Sequence, residues 1–117
     1  MSNVYEIPGW IDRIQEEIIE PDLPIIDPHH HLWHGPKQEE EENNPYRYLL
    51  EDLWNDTGSG HNIKKTVFID CGQEYYKQGP DSFKPVGETE FVVEIAKQAK
   101  QDPNKSQISG IIGHVDM

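Results

Sequence analysis

The sequence predicts an α/β fold built on a parallel sheet. Three observations carry that expectation: short apolar or β-branched runs of strand length, amphipathic stretches of helical spacing between them, and proline or glycine breaks at the junctions. The order strand, helix, strand, helix, strand is the alternation from which parallel sheets are built, with right-handed crossovers.

The elements follow in order. From Trp10 to Ile19 the apolar residues Trp10, Ile11, Ile14, Ile18 and Ile19 have helical spacing, with Glu16, Glu17 and Glu20 on a polar face. Pro21 and Pro24 stop this helix, because proline lacks an amide donor and crowds the preceding turn. Residues 1–22 therefore form an amino-terminal helical extension, and 23–117 form the α/β unit. Leu23 to Asp27 reads as a short buried strand ending at Pro28, and Gly35 to Asn44 as loop.

Tyr46 to Asp56 is a second helix, with Leu49, Leu50, Leu53 and Trp54 at spacings of three and four, broken by Gly58-Ser59-Gly60. Thr66 to Ile69 is a second buried strand. A loop with Gly79-Pro80 and Pro85 leads to the clearest helix, Glu88 to Lys100, where Phe91, Val92, Ile95, Ala96 and Ala99 make one apolar face. Ile108 to Val115 is the third strand, its Gly110 and Gly113 marking close packing or a bulge.

Composition limits the function. The net charge of -12 repels phosphate backbones and anionic bilayers, which argues against nucleic-acid and membrane partners. Glu39-Glu40-Glu41-Glu42 reads as a solvated loop. The single cysteine, Cys71, has no partner for an internal disulfide, which suits a reducing compartment. With no secretory signal and no long apolar run visible, a cytoplasmic setting is expected.

The chemistry concentrates in Asp27-Pro28-His29-His30-His31, where the first strand gives way to loop. Residues two apart on a strand share a face, so Asp27, His29 and His31 are expected together and His30 on the other side, towards the helices. Two positions span about 6.6 Å of strand, and both imidazoles can tilt from there onto one ion. Active sites of parallel α/β folds lie at the carboxyl ends of strands, where this corner sits.

The run Pro24-Ile25-Ile26-Asp27-Pro28-His29-His30-His31-Leu32-Trp33 resembles the first barrel strand of the amidohydrolase superfamily, and its D-x-H-x-H-x-W is similar to the amidohydrolase-related branch. The resemblance continues through Tyr48-Leu49-Leu50, Gly58 to Asn62, Thr66 to Ile69, Gly87-Glu88-Thr89-Glu90-Phe91 and Gly110 to Asp116. It implies the first three βα units of a (β/α)8 TIM barrel. It also implies a divalent ion, commonly zinc, on His29 and His31, with Asp27 as outer support or part of the turn, and a small-molecule carbonyl substrate such as a lactone or amide hydrolysed by activated water. A decarboxylase on the same scaffold is the alternative, and a non-catalytic βα module pairing through its open sheet edge is a third reading.

A barrel of this kind needs roughly 200 residues or more, so 117 residues are expected to be its amino-terminal portion, inactive alone. The family's remaining ligands come from later strands. At the carboxyl ends of the second and third strands, Asp70 and His114 are candidate pocket residues, Asp70 sharing a face with Thr66 and Phe68 that would be the barrel interior. Either has a bland reading as well, a solvated strand end for Asp70 and a rim or core position for His114.

Overall fold

The computed structural model describes residues 16–34 and 47–115. Three strands and two helices alternate: β1 (Pro24–His30), α1 (Leu50–Thr57), β2 (Asn62–Ile69), α2 (Val86–Ala99) and β3 (Gln107–Ile112), with a 3-10 turn at Asp81–Phe83 before α2. The strands pair in parallel in the order β1-β2-β3. The mixed α/β class with a parallel sheet is therefore as expected.

The element bounds differ where local chemistry competes. β1 runs through Pro28 rather than ending there. It is an edge strand, and the register with β2 slips between the pairs Asp27/Thr66 and His30/Phe68. Proline is tolerated at edges and bulges because no ladder amide is required of it there. β2 begins at Asn62, upstream of the β-branched run: Asn62, Ile63 and Lys65 pair with β1, Lys64 is passed over at a register shift, and both lysine side chains stay in water. β3 ends at Ile112, three residues short of Val115. Most of the helix expected from Trp10 to Ile19 lies outside the described residues, and 16–20 are not helical.

The helices form for reasons visible in their first turns. At α1, Leu49 stands at the N-cap and its amide donates to Asp52 Oδ2 at 3.0 Å, satisfying a donor that the helix leaves free. Pro85 precedes α2, where its missing amide costs nothing. Gly87 is needed in the first turn of α2, because a Cβ there would stand 2.4 Å from the Glu74 carbonyl oxygen.

Both helices cover the same face of the sheet. One cluster joins Leu32, Leu50, Leu53, Phe68, Val92, Ile95, Ala99 and Ile108. At the amino end of β3, Trp54 Nε1 donates to the Ser106 carbonyl at 2.9 Å, and Thr57 and Ser106 hydroxyls share a buried bond of 2.9 Å. On the opposite face, Ile26 and Ile112 are exposed. No helix among the described residues is long and apolar enough to cross a membrane.

Phe68 is 1 % exposed at the centre of this core. Phe68→Ala is expected to lower the unfolding free energy by about 3–5 kcal/mol. Urea titration followed by circular dichroism measures it, and a loss under about 1 kcal/mol would show that the cluster is not a packed core.

Candidate functional site

The carboxyl end of β1 separates its three histidines. His30 is 7 % exposed, with Nε2 3.0 Å from Thr66 Oγ1 and its ring edge-on to Phe68 at 5.7 Å. Burial holds its pKa below the ordinary histidine value. His29 and His31 turn to the other side, and their Nε2 atoms converge to 3.2 Å with the rings perpendicular.

The tautomer of His31 follows from its partner. Its Nδ1 lies 2.7 Å from the Ile69 carbonyl oxygen, which can only accept, so Nδ1 carries the proton and Nε2 presents a lone pair. Two facing lone pairs at this separation repel, so a proton or a cation belongs between the rings. Two nitrogens at zinc-bond distance from one tetrahedral ion stand about 3.3–3.4 Å apart, which the observed 3.2 Å matches. The pair fits a metal in both spacing and donor type. Ligating histidines commonly give their second ring proton to a backbone carbonyl, as His31 does. Among the described residues no group of three or more His, Cys, Asp or Glu side chains gathers to hold an ion.

Asp27 meets the pair differently from the strict alternation expected of it. By register it stands beside Thr66, and the bulge intervenes before His30. Its Oδ1 accepts from the His29 amide at 3.2 Å, a side chain closing a turn on its own backbone. Trp33 stacks on His31 at 6.2 Å, and is itself held by reciprocal backbone bonds with Tyr48 of 2.9 and 2.8 Å.

The face shared by Thr66 and Phe68 packs on the helices, not on the histidine side as expected for Asp70. The reason is apolar volume: Phe68 fills the helix-side core, and alternation carries Asp70 with it. Asp70 follows the last residue of β2 and meets Tyr75, whose hydroxyl donates to Oδ1 at 2.9 Å. His114 lies exposed beyond the end of β3, and Asp116 lies outside the described residues. The structure thus brings His29 and His31 together, with Asp27 on the backbone of His29, while Asp70 and His114 stand apart.

Glu88 is the residue that the sequence reading passed over. It is 0 % exposed in the first turn of α2. Its Oε1 accepts from the Cys71 amide at 3.1 Å and its Oε2 from the Gly72 amide at 3.0 Å. A signal for it existed: Glu88, Val92, Ile95 and Ala99 fall four, three and four apart, so the acid stands in phase with the buried stripe. Burial, then the neighbouring Asp70 carboxylate, raise its pKa, although the amide of Cys71 acts against them. The neighbouring Asp70 Oδ2 is buried without a hydrogen-bond partner. The Cys71 thiol, whose Sγ is 3.4 Å from Glu88 Oε1, is pushed up to about 11 by loss of solvent and then by Glu88, so it stays a thiol at neutral pH.

Compared with protein-family models, with curated proteins and with solved structures, the chain matches none.

A raised carboxyl pKa has a defined sign. The unfolded chain loses the Glu88 proton near 4.5, whereas the folded chain keeps it to higher pH. The stability it contributes is fully present below that value and falls as pH rises through the folded value. The stability difference between wild type and Glu88→Gln, which cannot ionise, is expected to shift against wild type over that window. Urea titrations at successive pH values measure it, and a pH-independent difference would remove the claim.

Proposed function

We propose that this chain contributes the first metal-binding strand of a metal-dependent hydrolase of TIM-barrel type, with His29 and His31 as ligands to a divalent ion, zinc being the best fit. The observation that carries the reading is the 3.2 Å convergence of the two Nε2 atoms, one of them aimed by the Ile69 carbonyl. A bound ion would polarise a substrate carbonyl and lower the pKa of water.

The winding of the chain supports the barrel. Strands follow one another in sequence order, and both helices feed a single core on one face. A doubly wound sheet instead reverses its strand order and carries helices on both faces. In the barrel reading the uncovered face, where Ile112 is exposed, is the interior, and the histidine pair stands at its catalytic end.

The residues present have separable roles. His31 holds its proton on Nδ1 and keeps Nε2 free as a donor atom. Asp27 fixes the backbone of His29, and Trp33 walls one side of the His31 ring. Substrates expected for such a site are small carbonyl compounds of the lactone or amide class.

Zinc competition against a chromophoric chelator tests the reading. Weak binding is expected of wild type, since two nitrogens are half the ligands of an ordinary zinc site. The double variant His29→Ala/His31→Ala should lose that binding, whereas His61→Ala, at the amino end of β2, should retain it. Equal uptake by wild type and the double variant would sink the assignment.

A further inference from the structure

β2 stops pairing after the Asp70 amide donates to the Ile112 carbonyl at 2.9 Å. The next two amides, of Cys71 and Gly72, therefore have no strand to donate to, although both residues are otherwise exposed. Both find partners on one side chain, each oxygen of the Glu88 carboxyl taking one amide, and the Gly72 amide is shared with Asp70 Oδ1 at 3.2 Å. Gly72 adopts φ of 89°, which lets the backbone turn so that consecutive amides point at the same group. Glu88 is in turn placed by Gly87, whose lack of a Cβ lets α2 press against the backbone of Glu74 and Tyr76.

We propose that Glu88 is a positioning residue for His31: by clasping the Cys71 and Gly72 amides it holds the end of β2, and with it the Ile69 carbonyl that receives the His31 Nδ1 proton. The role in metal binding rests on the reading of His29 and His31 as ligands, but the effect on His31 does not. Glu88 touches neither histidine. It acts through three residues of backbone, and what it controls is which nitrogen of His31 is free.

Two substitutions grade the clasp. Glu88→Met keeps the length of the side chain and removes both acceptors, whereas Glu88→Gln keeps one carbonyl oxygen. Long-range proton–nitrogen correlation spectra of the metal-free full chain, above the titration range of imidazole, identify the protonated nitrogen of His31. The Nδ1–H form is expected in wild type, a mixture weighted to Nε2–H in Glu88→Met, and an intermediate balance in Glu88→Gln. Zinc affinity should fall in the same order, by about tenfold or more in Glu88→Met.

Retention of the Nδ1–H form in Glu88→Met would overturn the proposal whatever zinc does. If Glu88→Met does not fold, exchange of the Cys71 amide in wild type decides, since Glu88 is its acceptor: protection supports the clasp, and an open-chain exchange rate overturns it. If His31 changes tautomer as expected but wild type takes up no zinc, the positioning of His31 stands and the metal reading is what fails.

Discussion

The burial of His30 is the constraint on which the rest of this structure depends. Its ring occupies core volume beside Thr66 and Phe68, and so fixes the rotation of β1 about its own axis at the point where the strand ends. Neighbouring side chains on a strand must point to opposite sides. With His30 committed inward, His29 and His31 have to emerge on the other face, close enough for their rings to meet. A histidine is a costly choice for a core position, since burial opposes its charged form. Its single hydrogen bond to Thr66 and its contact with Phe68 offset that cost while keeping the strand in phase.

The parts of this architecture legible in the sequence are those that depend on near neighbours. Short apolar runs and helical stripes gave the order of elements, and alternation separated His30 from its two flanking histidines. What was not legible depends on partners far along the chain. The bond between His31 and Ile69 joins residues 38 apart and requires the register of two strands, which no local pattern encodes. Asp27 departs from strict alternation because a bulge follows it, and Asp70 takes the helix side because Phe68 does. Lys64 and Lys65 disguised the start of β2, since strand pairing uses backbone atoms and is indifferent to charges that remain in water.

Glu88 illustrates a further limit of pattern reading. An acid in the first turn of a helix is ordinarily explained by the helix dipole, and that explanation hides the fact that this one is fully buried. Its carboxyl group substitutes for a missing strand. Where β2 runs out of partners, α2 extends one side chain to take the two amides left over. The sheet and the helix layer are thereby joined by polar bonds at the end where the histidines lie, and by apolar contact between Val92, Ile95 and the strands elsewhere.

The bulge in β1 has a consequence of its own. Three steps along β1 from Asp27 to His30 match two steps along β2 from Thr66 to Phe68. The extra residue works like a splice in a printed tape, and it undoes an earlier one on β2, where Lys64 is passed over between the pairs Ile25/Ile63 and Ile26/Lys65. Loss of one residue at Pro28 would match two steps with two and keep His30 beside Phe68, whereas straightening the strand with no residue removed would seat His29 there instead. The order of three identical letters is therefore not redundant. Spacing alone determines which of them is hidden and which two are displayed.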